Sequence, residues 1–329
     1  MTTVWPKKAI RSTRILTARW ACFALLGLML PIPSCKKPPS EPSDSKAPAS
    51  ASATPPTTQP TDDNAATLVE QRPYALVDPP GAPKDQALPL VLYLHGYGDT
   101  GRSFARSLGV SQLAAKHRFV AAVPDGTPDS KGRRFWNATE GCCNFEDRPV
   151  DDVRYLTAVI DDAIAKRNID RSRVFVVGFS NGGFMAHRLG CELGERLAGI
   201  VSMAGAGPSN PSTCQPEGTL AVLQIHGDAD RAVPYQGGRT LGRPDSEAHP
   251  PVQQTMKMWA ARNRCRSEPT QGSPMDLDPA LPGDETLVAR WEGCEADGAV
   301  ELWTVRGAGH FVGQSASAAS AMWKSLTSR

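Results

Sequence analysis

The feature that most constrains this chain is a series of near-continuous apolar runs, each about as long as a strand. Residues 90–95, 119–124, 174–178, 199–203 and 220–226 are such runs. A strand with one wetted face alternates apolar and polar residues, whereas a strand covered on both faces has no reason to alternate. Between the runs the period changes. Residues 150–166 place Val153, Leu156, Ile160 and Ile164 at helical spacing, with Asp151 and Asp152 where the helix dipole favours acids. Further helices are predicted over 103–116, 182–193, 252–262 and 315–326, and residues 74–77 read as an antiparallel edge strand. This alternation predicts an α/β fold with a mostly parallel central sheet flanked by helices.

The first residues do not read as core. Lys7, Lys8, Arg11, Arg14 and Arg19 precede the apolar stretch 21–30 with no acid among them, the order of an export signal. The stretch is shorter than the roughly 20 residues a membrane helix needs, so it is expected to be processed rather than retained. It leads into Pro31-Ile-Pro-Ser-Cys35 and then a tract rich in Pro, Ser, Ala and Thr. This segment resembles a bacterial lipoprotein, which implies lipid attachment at Cys35 as the membrane contact; cleavage with full release is the alternative. The expected organisation is a signal over 1–34, a disordered tether over 35–66 and a catalytic domain over 67–329.

Removing residues 1–34 takes away five basic residues and no acidic ones, turning the formal +2 of the whole chain into −3. A nearly neutral domain gives no electrostatic case for nucleic-acid binding. Cys142, Cys143, Cys191, Cys214, Cys265 and Cys294 form an even set without the CxxC spacing of a zinc site, so disulfides are expected and no metal. Cys265 with Cys294 is the pairing favoured, because it would staple a Pro-, Gly- and Asp-rich excursion, worth about 3 kcal/mol in the chain-entropy view.

The chemistry centres on Gly178-Phe-Ser180-Asn-Gly182, set between a buried strand and a predicted helix. Gly-x-Ser-x-Gly in that context makes a strained turn that lifts a serine hydroxyl above the sheet edge. Serine is a weak nucleophile until a base takes its proton, so a histidine and an orienting acid are required. His310 lies in a glycine-rich loop after the apolar strand 300–305 and before the last predicted helix. His95, His117, His187, His226 and His249 are weaker candidates and read as structural or surface residues. After the run 220–226 the chain offers two acids, Asp228 and Asp230. The oxyanion is expected to meet the amide of Asn181, the residue after the nucleophile, and an amide in the loop His95-Gly96-Tyr97, with Tyr97 the second donor. Serine, histidine and carboxylate account for the chemistry, so no cofactor is expected.

Several ordered blocks carry a resemblance. They are Leu88-Pro-Leu-Val-Leu-Tyr-Leu-His-Gly96, Phe135-Trp-Asn with Cys142-Cys143, Gly178-Phe-Ser-Asn-Gly-Gly183, His226-Gly-Asp-Ala-Asp230 with Val233-Pro-Tyr, and Gly307-Ala-Gly-His310. Together they resemble the poly(3-hydroxybutyrate) depolymerase-like esterases, the α/β-hydrolase group that includes feruloyl and acetylxylan esterases. The resemblance to a His-Gly-x-x-Asp-x-x-Val-Pro pattern favours Asp230 as the acid, with Asp228 left to form a turn. It implies a carboxylic ester hydrolase acting on polysaccharide acyl or feruloyl esters or on polyester oligomers. The pattern usually continues Thr-Trp-Pro-Gly after its histidine, whereas this chain has Phe311-Val-Gly-Gln, a departure that bears on the substrate. Phe311 and Trp136 are the candidate pocket residues, with Trp136 equally able to fill the core. Peptidase or acyltransferase chemistry could use the same residues, and a surface binding lipoprotein with an unused hydrolase scaffold is the reading from another class.

Overall fold

The apolar runs become the middle of a nine-stranded sheet. In chain order the strands are β1 (Ala75–Val77), β2 (Leu88–Leu94), β3 (Val120–Val123), β4 (Thr127–Pro128), β5 (Arg134–Phe135), β6 (Ile169–Phe179), β7 (Gly199–Met203), β8 (Ala221–Gly227), β9 (Gly238–Arg239), β10 (Ala248–His249), β11 (Thr270–Gln271), β12 (Thr286–Trp291) and β13 (Ala299–Val305). The main sheet runs β1-β3-β2-β6-β7-β8-β13-β12-β11, while β4 pairs with β5 and β9 with β10 in separate hairpins. From β3 across to β13 every pairing is parallel. β1 at one edge, and β12 and β11 at the other, run antiparallel. The computed structural model describes residues 63–82 and 85–327, with side chains from residue 66. The signal, Cys35 and most of the tether therefore lie outside the described residues.

Both faces of the sheet are covered, which is why the strands do not alternate. Leu90 and Leu92 of β2 and Val174 and Val176 of β6 enter one core; Val91, Tyr93, Phe175 and Val177 enter the other. The first core is closed by α1 (Asp63–Gln71), α4 (Asp152–Lys166), α5 (Asn181–Glu192) and α6 (Val252–Arg262), through side chains such as Val69, Leu156, Leu189 and Trp259. The second is closed by α2 (Gly101–Ser107), α3 (Val110–His117) and α7 (Ala316–Thr327), through Phe104, Leu113 and Met322. Each fully buried aliphatic or aromatic side chain contributes about 1.5–3 kcal/mol relative to exposure.

Three differences from the sequence expectation have local causes. The helix expected over 103–116 is two helices, because Gly109 adopts φ 65°, a conformation glycine takes without Cβ strain, and it redirects the chain into α3. The first helix begins at Asp63, inside the stretch assigned to the tether. The excursion after α6 is not all loop: β11 and β12 extend the sheet there, with Thr286, Val288 and Trp291 of β12 buried. Its ends are joined by the Cys265–Cys294 disulfide, and Cys191–Cys214 and Cys142–Cys143 complete the domain's set.

Candidate active site

β6 ends at Phe179 and α5 begins at Asn181, leaving Ser180 alone at the junction with φ 53° and ψ −118°. That region is costly for a residue with a Cβ, and such strain persists only where the surroundings dictate it. Here they do. The Ser180 amide donates to the Met203 carbonyl at 2.8 Å, tying the turn to the end of β7. A Cβ on Gly178 would collide with the Gly182 carbonyl, and one on Gly182 with the Leu94 carbonyl of β2, so the close approach of strand, turn and helix requires both glycines.

His310, in the loop between β13 and α7, faces this serine. Its Nε2 lies 2.9 Å from Ser180 Oγ, and its Nδ1 lies 2.7 Å from Asp230 Oδ2. An ionised carboxylate only accepts, so Nδ1 donates to Asp230 and Nε2 is left to accept from the serine hydroxyl. Asp230 Oδ1 in turn accepts the amides of Ala232 at 2.8 Å and Val233 at 2.9 Å. Burial alone would raise the Asp230 carboxyl. Hydrogen bonds from His226 and His310, the charge on His310 and the Val233 amide outweigh it and hold the group well below the usual carboxylate range.

The other acid differs from its expected part. Asp228 does not close a turn on its own backbone; its Oδ1 accepts the Gly307 amide at 2.7 Å. With Ala229 N–H donating to the Ala308 carbonyl at 3.1 Å, it joins the acid loop to the histidine loop. Sequence reasoning missed this bond because Asp228 and Gly307 come together only through the parallel pairing of β8 with β13.

The two amides expected to meet an oxyanion are built from opposite sides of the turn. Asn181 is the first residue of α5, so its amide has no intrahelical acceptor. Its side chain is locked, accepting the Trp136 amide at 2.7 Å and donating to the Trp136 carbonyl at 3.0 Å. The Trp136 indole donates to the His95 carbonyl at 3.0 Å. His95 Nε2 accepts the Gly126 amide at 2.9 Å, which leaves Nδ1 to donate to the Gly96 carbonyl at 2.7 Å. Burial pushes the pKa of His95 down and so favours this uncharged form. The Gly96 backbone packs against Ser180, since a Cβ there would come within 3.4 Å of Ser180 Cβ. Tyr97 follows directly, its phenol donating to Asp129 at 2.8 Å.

Of the two pocket candidates, Trp136 requires correction. It is fully buried, with its indole N–H engaged, so it fills the core and braces Asn181 and the β2 loop instead of offering a ring to substrate. Phe311 does the opposite. It is 76% exposed, with its ring centre 5.7 Å from that of Phe179 and 5.6 Å from that of His310. His226, set aside on sequence as structural or surface, is wholly buried, and its Nε2 lies 3.3 Å from Asp230 Oδ2. Among the described residues no group of three or more His, Cys, Asp or Glu is arranged to hold a metal ion.

Residues 81–257, more than half of the chain, match the Phospholipase/Carboxylesterase family. The chain belongs to this family. The region matched to the phospholipase/carboxylesterases contains Ser180 and Asp230 and ends before His310. A putative esterase, NocK, from Nocardia uniformis subsp. tsuyamanensis is 35% identical over 167 residues, covering 50% of this chain and 47% of that protein. Feruloyl esterase B from Piromyces equi is 26% identical over 241 residues, covering 71% and 42%. Poly(3-hydroxyalkanoate) depolymerase C from Paucimonas lemoignei is 30% identical over 164 residues, covering 50% and 37%. The chain thus spans less than half the length of these relatives. Among solved structures, an acetyl xylan esterase from Aspergillus awamori superposes with a TM-score of 0.55 at 17% identity, covering 77% of this chain and 93% of that one. At that identity the likeness establishes the α/β-hydrolase fold.

Proposed function

We propose that this protein is an exported serine carboxylic ester hydrolase in which Ser180 is the nucleophile, His310 the general base and Asp230 the residue that orients it. The observation that carries the reading is the unbroken hydrogen-bond chain from Ser180 Oγ through His310 to Asp230, with links of 2.9 and 2.7 Å. As Oγ attacks the ester carbonyl, its proton passes to His310 Nε2, and the resulting imidazolium is stabilised by Asp230. The tetrahedral oxyanion meets the amides of Asn181 and Tyr97. His310 then gives its proton to the departing alkoxide, leaving the acyl group on Ser180. Water repeats the sequence with His310 as base, releasing the acid and restoring the serine. No step needs a metal or an organic cofactor.

The substrate class proposed is a polysaccharide-linked acyl or hydroxycinnamoyl ester, or a polyester oligomer. The names of the relatives support it, as does the exposed Phe311 stacked on Phe179 beside His310, which offers an aromatic surface at the reacting centre. The three disulfides suit an oxidising compartment, in keeping with a signal over 1–34, a lipid-bearing Cys35, a tether that ends before α1 at Asp63 and a hydrolase domain beyond it. Turnover of 4-nitrophenyl acetate by the purified protein and by Ser180→Ala tests the reading. Hydrolysis abolished by the substitution is expected, and equal rates from the two proteins would refute it.

A further inference from the structure

Behind the acid, the core facing α5 and α6 contains four wholly buried polar side chains in a continuous hydrogen-bonded line. Trp259 Nε1 lies 2.9 Å from His187 Nδ1, His187 Nε2 lies 2.9 Å from Gln224 Oε1, and Gln224 Nε2 lies 3.0 Å from His226 Nδ1. His226 Nε2 then lies 2.8 Å from the Val233 carbonyl and 3.3 Å from Asp230 Oδ2.

The direction of every bond is fixed from the ends. An indole N–H can only donate, so His187 Nδ1 accepts and its Nε2 carries the proton to Gln224 Oε1. The Gly205 carbonyl, 3.0 Å from Gln224 Nε2, can only accept, which independently assigns that atom as nitrogen. Gln224 therefore donates to His226 Nδ1, and the proton of His226 must sit on Nε2. That proton goes to the Val233 carbonyl at 2.8 Å, and the same nitrogen lies 3.3 Å from Asp230 Oδ2. Val233 also donates its own amide to Asp230 Oδ1, so His226 grips the acid loop on both sides of the carboxylate.

We propose that His226 is the positioning residue of the acid: its Nε2–H, held in place by Gln224 at Nδ1, keeps Asp230 Oδ2 directed at His310. The inference rests on Ser180, His310 and Asp230 acting together as proposed above. Packing alone does not account for the arrangement, since an apolar ring would fill the same space without the desolvation cost of a polar one. The positive end of the His226 Nε2–H dipole lies beside the Asp230 oxygen that otherwise meets only His310. Removing the donor leaves more negative charge facing His310, so the acid limb of kcat/KM should move to higher pH. The titratable groups around the carboxylate are His310 from its loop, His226 from β8, Tyr235 against the His226 ring, and His249 from β10. Asp228 and Arg231 on the same loop are exposed, with Asp228 bonded to Gly307.

The test pairs two substitutions with a spectrum. His226→Phe keeps a ring and removes the donor, whereas His226→Gln keeps an N–H near the position of Nε2. With 4-nitrophenyl acetate, His226→Phe should lose about 10- to 100-fold in kcat with KM within about threefold, a size typical of a misplaced catalytic group. Its acid limb should lie above the parent's. His226→Gln should recover most of the loss and return the limb. A purely structural role would lower the thermal midpoint of both variants and leave the limb in place, and that result would overturn the proposal. Should His226→Phe not fold, Gln224→Met carries the same test, because it frees the His226 tautomer and should move the limb in the same direction. Nitrogen-15 spectra of the native protein should show His226 protonated at Nε2 alone; a proton on Nδ1 overturns the proposal whatever the kinetics. Failure of the esterase reading would look different, with Ser180→Ala turning over ester as fast as the parent. An inactive Ser180→Ala beside a His226→Phe that matches the parent would sink this inference only.

Discussion

On one face of β8, Ala221, Leu223 and Ile225 pack into an apolar core closed by α7; on the other, Val222 is followed by Gln224 and His226, both fully buried. The two faces belong to the same strand and are equally dry, yet they obey different rules. Apolar contacts are non-directional, so the first face stabilises the sheet and tolerates changes of side chain that keep volume. Buried polar groups cost free energy unless each donor meets an acceptor, and meeting that condition fixes the direction of each group as well as its volume. The polar face ends at Asp230, the proposed orienting acid, and the apolar face at no member of the proposed site, which is why a defect on one should appear in turnover and on the other in stability.

The largest effects are expected at the reacting end of the polar line. Ser180→Ala and His310→Ala should each remove nearly all ester turnover, by roughly 10⁴- to 10⁶-fold, and the double variant should lose little more because the residues act as a unit. Additive losses in stopped-flow and steady-state rates would break the account. The two acids divide next. Asp230→Asn should cost up to about 10⁴-fold in kcat, since an amide can select the wrong histidine tautomer. Asp228→Asn, which weakens only the bond to the Gly307 amide, should cost about tenfold or less. Equal losses, in variants shown to be folded by circular dichroism, would remove the distinction between them.

The apolar face gives the counterpart. Leu223→Ala should destabilise the fold by about 2–5 kcal/mol in urea titrations while leaving kcat per folded molecule and its acid limb near the parent's. A shifted limb in that variant would mean that the faces are not separate in function. The smallest effect concerns the β2 loop. Burial alone would raise the Asp129 carboxyl, but the Tyr97 hydroxyl, the amides of Arg133 and Lys131 and the Arg133 side chain bring it down to about 2. A depressed folded-state pKa contributes stability above the unfolded value, roughly 4, and loses it as pH falls through the folded one. The thermal midpoint of the parent should therefore fall more steeply from pH 5 to pH 3 than that of Asp129→Asn. Parallel slopes would show that Asp129 does not fasten the loop.

What could be read in the sequence was what depends on neighbours along the chain. The buried strands appear as apolar runs, the strained turn as two glycines around Ser180, and His310 by its place after a late strand. The break at Gly109 was hidden because glycine occurs within helices and the apolar spacing continues across it. β12 was hidden because only Thr286, Val288 and Trp291 of its residues are buried, beside turn-forming residues that dominate the local composition. Trp136 could not be assigned, since its partners His95 and Asn181 lie far away in sequence and determine whether the ring faces substrate or core. The same holds for Gln224 and His226. Within an apolar run they look like the polar end of a strand, and their meaning comes from His187, Trp259 and Asp230, brought together by the packing of α5 and α6 on the sheet.

The central claim, that Ser180 is a nucleophile activated by His310, is tested most directly by covalent trapping. The folded protein treated with an aryl phosphonate ester and digested for mass spectrometry should carry a single phosphonyl group on the peptide containing Ser180. His310→Ala should slow that labelling severely, while Leu223→Ala should not. A phosphonyl group on a different residue, or labelling of Ser180 at the same rate without His310, would contradict the account.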